Sequence, residues 1–485
     1  MLDGLSQLKN EDINNKIKEF RSTHNLLVRQ LTFPRENRTY NTDSLQTIVE
    51  KQEAFLVRKN TEINSKDKEF NWKKIKKNLQ NNEIVIEFSN FNLRAKNQWT
   101  NDRIYVAYLF DNQSDYPEVI QLFEQQEIFE VLDQISPSSL YKLRGSEATS
   151  TRANSSEALY NMIWKPLEHK LQEKKTIYFA PSGTLNQIAM AALPNSKGET
   201  MISRFDLQQY SSTIKLVDRK KRLQQSPAIL AGGIDYDYIA RDTVELSELA
   251  EEPISLLIAN DKRSNQNGVW KFLNGTATEI NSLEKIYQSN RLNSKKITGK
   301  EATEEWFKSL HKNSPKVLHL ATHGFFFEDN IDTTSTKSLQ PHYTLSRDPL
   351  LRSGIILANA NYAWQHNRSP SGTEDGILTA LEISKLDLSN IDLVVLSACE
   401  TGLGDITGSE GVYGLQRAFK MAGVKNIIMS LWDVPDKETS EYMKIFYNNW
   451  MENSDIRNAF INTQRIMAKK YKNEPENWAA FVLIE

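Results

Sequence analysis

VLHLATHG, residues Val317 to Gly324, and IDLVVLSAC, residues Ile391 to Cys399, decide how this chain folds. Each is a run of aliphatic and β-branched residues with little polar alternation. Such runs predict strands buried on both faces, the kind found in parallel sheets covered by helices. Working outward, AILA at Ala228 to Ala231 and VKNIIMSL at Val424 to Leu431 repeat the pattern, and EIVIEF at Glu83 to Phe88, RIYVAYLF at Arg103 to Phe110 and TIYFAP at Thr176 to Pro181 extend it into the first half. Helical stretches separate the runs. The reading is an α/β fold with a mostly parallel sheet sandwiched by helices.

The opening of the chain reads differently. Leu5, Leu8, Ile13, Ile17 and Phe20 are spaced as on an amphipathic helical pair over Leu2 to Leu31, which Phe33-Pro34 ends. Further helices are expected over Ser44 to Arg58 and Trp72 to Leu79. Residues 1–80 are therefore read as a helical segment, the end of an array of helical repeats that needs neighbours to bury its apolar faces. Residues 81–225 and 226–485 follow as two α/β lobes. Polar stretches at Asp242 to Gly268, Glu328 to Asp348 and Tyr362 to Gly376 are expected to be loops, long enough to serve in activation or substrate binding.

Bulk composition excludes several classes of function. The 60 basic and 62 acidic side chains nearly cancel, which argues against nucleic acid as the main partner. The longest apolar runs, such as Ile391 to Ala398, fall short of the roughly 20 residues that span a bilayer. The first residues, MLDGLSQLKNEDINNK, carry charges of both signs and lack the apolar core of a secretory signal. A cytoplasmic location is expected. One cysteine in 485 residues allows neither an internal disulfide nor a multi-thiolate metal site. No cofactor or metal is expected.

In an open parallel sheet, reactive groups gather at the carboxyl ends of the strands. Val317 to Thr322 runs into His323, and Ile391 to Ala398 runs into Cys399. If the two strands are neighbours, an imidazole and a thiol meet on one rim, as nucleophilic catalysis by cysteine requires. The N–H groups of Gly324 and Cys399 are then candidates for an oxyanion hole. The blander readings are a buried cysteine packing as a small hydrophobe and a hydrogen-bonded histidine at a strand end. His319 lies four residues earlier, in mid-strand, and is expected in the core. The glycines of GLGDITGSEG, Gly402 to Gly411, follow a strand but match neither a Walker A loop nor G-x-G-x-x-G, so a turn after the nucleophile is preferred to a phosphate site.

The segments HLATHGFF (His319 to Phe326), EDGILTALEI (Glu374 to Ile383), VVLSACETGLG (Val394 to Gly404), GSEGVYGLQRAFKMAGVKNIIMSLWDV (Gly408 to Val434) and WAAFVLI (Trp478 to Ile484) resemble the CHAT family, the caspase- and HetF-related domain often attached to tetratricopeptide (TPR) repeats. WKKIKKNLQNNEIVIEF (Trp72 to Phe88) and IYFAPSGTLNQIAMAALP (Ile177 to Pro194) extend the resemblance. It implies a fold like that of caspases, separases and gingipains, Cys399 and His323 as a catalytic dyad, and residues 81–225 as a catalytically silent caspase-like lobe. The separation of 76 residues exceeds the roughly 50 of caspases, a difference the loop after Phe327 can absorb.

SLWDVPD, Ser430 to Asp436, corresponds to the loop with which caspase-like enzymes line their primary pocket. Trp432, Asp433 and Asp436 there, together with Glu374, Asp375, Glu400 and Ser397, are the pocket candidates. Ionised carboxylates in such a pocket would favour lysine or arginine before the scissile bond; the alternative is that they are solvated loop acids. Ser397 stands two residues before the cysteine, where metacaspases place an acid. The resemblance implies a cysteine endopeptidase acting on a protein substrate in bacterial defence or regulated death, latent until a regulatory or sensor protein, whether TPR repeats in the same chain or a separate subunit, activates it. A catalytically silent scaffold is the alternative.

Overall fold

The structure is a computed structural model that describes residues 11–31, 39–41, parts of 44–56, 72–95, 98–132, 153–218, 225–239, 269–326, 349–366, 373–397, 405–406, 412–453 and 455–485. Two compact units are present, residues 1–74 and 75–485. In the first, the 21-residue helix Glu11–Leu31 buries Ile13 and Ile17 against Leu56, and Leu27 against Leu45 and Val49. Ile13 and Ile17 are four residues apart and Leu27 ten further on, spacings that return to one helix face. Near the end of the helix, the buried Gln30 Oε1 accepts the N–H groups of Thr39 and Tyr40 at 2.8 and 3.1 Å. The expected loop from Tyr362 is in part helical, because Ala360–His366 forms a helix that buries Ala360, Ala363 and Trp364. The loops expected at Asp242 to Gly268 and Glu328 to Asp348 lie outside the described residues.

Sixteen strands make up the sheets of the second unit among the described residues: β1 Glu83–Ala95, β2 Gln98–Phe110, β3 Glu118–Glu124, β4 Thr176–Ala180, β5 Asp206–Gln209, β6 Ala228–Ile234, β7 Ser294–Gly299, β8 Val317–Ala321, β9 Gly324–Phe326, β10 Ser353–Ile356, β11 Ile377–Thr379, β12 Leu393–Ser397, β13 Asp405–Ile406, β14 Val412–Tyr413, β15 Asn426–Ser430 and β16 Phe481–Ile484. Eleven of them form one sheet in the order β3-β2-β1-β4-β5-β16-β15-β12-β8-β6-β7. The strands β1, β4, β5 and β16 run parallel, as do β15, β12, β8, β6 and β7. The two blocks meet where β16 pairs antiparallel with β15, and β2 and β3 add an antiparallel edge. The remaining strands form the small antiparallel sheet β11-β10-β9 and the hairpin β13-β14.

The central strands behave as their apolar runs predict. Every residue of β4, β8, β12 and β15 is buried, each large aliphatic side chain contributing about 1.5–3 kcal/mol. The helix Asn274–Ser289 packs on β6, β7 and β8 and on the helix Asp436–Asn453, which in turn packs on Ile456–Lys470. A second group, Glu304–Lys308, Ala380–Ser384 and Leu415–Met421, is joined by contacts between the last two and by the edge-on Phe307 and Phe419 rings. The fold is therefore α/β, with a large, mostly parallel sheet flanked by helices.

Candidate active site

Three neighbouring parallel strands bring their carboxyl ends to one rim. The chain leaves β8 through Thr322 into His323, β12 ends at Ser397 and β15 ends at Ser430. Together with Leu273, Gly275, Thr276 and Glu279 from the helix that follows β6, and with Asp433, Val434, Asp436, Thr439 and Phe481, they line one pocket of about 130 Å³.

His323 is only 4% exposed. Its ring neighbours those of Tyr236 and Trp270, with centroids 5.2 and 5.1 Å away and planes tilted by 49° and 46°. Nε2 is 2.7 Å from the carbonyl oxygen of Lys271. A carbonyl can only accept, so Nε2 carries the hydrogen and Nδ1 is the basic nitrogen of the neutral ring. The accepting backbone is itself pinned. Asn361 Oδ1 accepts the Trp270 N–H at 2.8 Å, Asn361 Nδ2 donates to the Trp270 carbonyl at 3.0 Å and to Asp237 at 2.7 Å, and Trp364 meets Trp270 edge-on at 5.1 Å. Behind the imidazole, Thr322 Oγ1 donates to the Ile356 carbonyl at 2.5 Å and accepts the Tyr236 hydroxyl at 2.9 Å. The Ile356 N–H donates to the His323 carbonyl at 2.9 Å. Gly324 continues directly into β9, where it pairs with Ile355.

His319 belongs to the core, as its mid-strand position predicts, and is fully buried. Nε2 donates to Glu279 Oε1 at 2.7 Å, and the Tyr447 hydroxyl, 3.2 Å from Nδ1, supplies the other bond. Burial holds the Tyr447 phenol well above its ordinary pKa, with Tyr287 and Glu279 acting in the same direction, so it remains a donor.

The sequence-derived pocket candidates separate into groups. Ser397, Asp433 and Asp436 share the pocket with His323. Burial lifts the Asp436 carboxyl above its ordinary pKa; the Gly275 N–H that donates to it works against this, and Asp433 and Glu279 add to it. Glu374 and Asp375 are not among the residues lining this pocket. The Glu374 carboxylate is 2.9 Å from Lys308 Nζ, which also meets Glu304 at 2.7 Å and Glu382 at 3.1 Å, while Asp375 Oδ1 accepts the Ile377 N–H at 2.8 Å. Glu382 also completes a capping box with Thr379. These acids of the EDGILTALEI segment hold a turn and a helix start in place. Trp432 is buried, its indole N–H donating to the Glu476 carbonyl at 2.9 Å. Cys399 and Glu400 lie outside the described residues.

Sequence reading missed Glu279, Lys271 and Asn361. Glu279 sits mid-helix and Lys271 acts through its backbone, so neither carries a local signal. Asn361 is separated from Trp270 by 91 positions.

The profile of the CHAT domain matches residues 153–485. The chain belongs to the CHAT domain family. Tetratricopeptide repeat protein 28 of Mus musculus and that of Homo sapiens are each 31% identical to it over 109 residues, 22% of this chain and 4% of the relative. The CHAT chain thus spans about 4% of the length of these curated relatives. Among solved structures it is similar to gingipain R, an Arg-specific cysteine proteinase of Porphyromonas gingivalis, at 10% identity, 70% and 68% coverage of the two chains and a TM-score of 0.36. It is also similar to Saccharomyces cerevisiae separase in its complex with securin, at 9% identity, 84% and 30% coverage and a TM-score of 0.42. The CHAT match takes in every residue that lines the pocket; the segment Trp72 to Phe88, in which the resemblance was also read, precedes it. Among the described residues no helix is long and apolar enough to cross a membrane, and no group of three or more histidine, cysteine or acidic side chains could hold a metal ion.

Proposed function

We propose that this CHAT-family chain is a cysteine endopeptidase in which Cys399 is the nucleophile and His323 its base and acid. One observation carries the reading. Every pair in the β8–β12 register, from Val317 with Leu393 to Ala321 with Ser397, is separated by 76 residues, the separation of His323 from Cys399 in the sequence. That equality supports reading the two residues, each just beyond its strand, as partners.

In this mechanism Nδ1 of His323 takes the thiol proton while Nε2–H stays on the Lys271 carbonyl. The thiolate adds to the substrate carbonyl, and the N–H groups of Gly324 and Cys399 receive the oxyanion. Collapse breaks the C–N bond as the imidazolium returns its proton to the leaving amine, and water then hydrolyses the thioester with His323 as base. Asp433 and Asp436 at the pocket favour lysine or arginine on the acyl side of the bond. The substrate is a partner protein, and residues 81–225 form a silent lobe beside the catalytic one. The helices of residues 1–80 belong to a TPR-like region through which a sensor acts, in bacterial defence and in the cytoplasm.

A peptidyl acyloxymethyl ketone tests the dyad. Covalent labelling confined to Cys399, and lost in His323→Ala, is expected. Absence of labelling under every activating condition would leave a caspase-like scaffold instead.

A further inference from the structure

We infer that Glu279 is the specificity-determining residue of this pocket, and that with the Ser397 hydroxyl it selects a guanidinium over an ammonium. The inference rests on reading the pocket as the site of the substrate side chain. Four polar side chains that line it differ in depth: Asp433 and Asp436 are exposed, whereas Glu279 is 2% and Ser397 6% exposed. The two aspartates form a rim and the other two a base.

A carboxylate buried in the middle of the helix Asn274–Ser289 needs donors. His319 provides one to Oε1, and the imidazole is oriented from behind by Tyr447, so the carboxylate is held by a chain of fully buried groups rather than by solvent. A carboxylate offers about four acceptor sites, and the His319 bond uses one. Ser397 Oγ is buried in the same pocket without a hydrogen-bond partner, an arrangement that native structures rarely leave unsatisfied. The base therefore presents acceptors on two separate elements, a helix and the end of β12. A guanidinium has five N–H groups in a flat, rigid fork and can engage the carboxylate and the hydroxyl together; an ammonium is a compact point charge with three donors. The rim aspartates attract either cation. The base distinguishes them.

Binding of N-acetyl-arginine amide and N-acetyl-lysine amide to the Cys399→Ala protein, followed by NMR titration, tests this without any turnover. The peptidase reading is judged separately, by ketone labelling of Cys399 with a neutral residue before the ketone. Arginine amide should bind more tightly than lysine amide. Glu279→Gln, whose amide oxygen can still accept from His319, should weaken arginine amide about tenfold or more, the loss of a charge-assisted bond, and bring the two ligands close to parity. Ser397→Ala should narrow the arginine preference by a smaller factor, and it carries the test if Glu279→Gln does not fold. Equal or absent binding of the two amides to the native pocket would overturn the assignment. So would unchanged arginine binding in a folded Glu279→Gln protein.

Discussion

His323 and Lys271 are joined by a 2.7 Å hydrogen bond from imidazole Nε2–H to a main-chain carbonyl, and that carbonyl is held in turn by the side chain of Asn361 through Trp270. The bond sets both the tautomer and the direction of Nδ1. Asn361→Ala removes the clamp while leaving His323 in place. We expect kcat on a cleaved peptide to fall about tenfold to a hundredfold with KM little changed, the size of effect that slight misplacement of a catalytic group produces. A loss confined to KM would contradict a positioning role.

The two histidines of HLATH should separate cleanly on substitution. His323→Ala is expected to abolish cleavage while the protein still unfolds cooperatively, at a cost of about 1–3 kcal/mol for the Lys271 carbonyl left without its donor. His319→Ala strips the buried Glu279 of its donor and should cost about 3 kcal/mol or more, the penalty for leaving a buried charged group without its hydrogen bond. Denaturant titration beside a cleavage assay reads both. A stable, inactive His319→Ala protein together with an active His323→Ala protein would reverse the roles.

Recognition of a basic side chain should weaken with acid sooner than ordinary aspartates would cause. The Asp436 carboxyl titrates above its usual value because it is partly desolvated, although the residue as a whole is exposed, and because it lies near Asp433 and Glu279. As pH falls it is therefore neutralised above the usual aspartate range, and KM for an arginine substrate should begin to rise there. In Asp436→Asn the early rise should vanish, with KM at neutral pH higher by up to about fivefold, the range of an exposed ion pair. Gly275→Ala should perturb the same step, because a Cβ there would stand 2.5 Å from Asp436 Oδ2.

Acid stability should carry a component from the β2 end. Burial alone would raise the Asp111 carboxyl, but Lys174 at 2.8 Å, Ser114 and the Gln113 N–H together lower it to about 2. A depressed folded-state pKa stabilises at pH above the unfolded value and loses that contribution as pH falls toward the folded one. Thermal unfolding of the native protein should therefore become easier between about pH 4 and pH 2, and Asp111→Asn should be less stable at neutral pH and flatter across that window.

Much of the sheet was legible because its central strands are continuous apolar runs: the stretches read at Glu83, Arg103, Thr176, Ala228, Val317, Ile391 and Val424 all became strands. The strands that escaped notice lie at edges or are very short. Only Phe123 of β3 and Ile297 of β7 are buried, so solvent-facing lysines and glutamates mask the pattern, and β5 has four residues. In the site, His323 was legible because a parallel strand ends on it. Lys271 contributes only a carbonyl, which any residue type has, and Glu279 looks like an ordinary helix acid until the fold turns it inward. Ser397 drew notice for its place before the cysteine, whereas its unsatisfied hydroxyl is visible only in three dimensions.

The position of β16 bears on how the protein is made. Among the described strands Phe481–Ile484 comes last in chain order, yet five strands of the sheet lie on either side of it. Until it emerges, β5 and β15 each present an unpaired edge, the kind of surface that recruits chaperones or other nascent chains. Phe481 is also part of the pocket wall. A chain in which β16 has not yet joined the sheet therefore lacks a complete pocket wall.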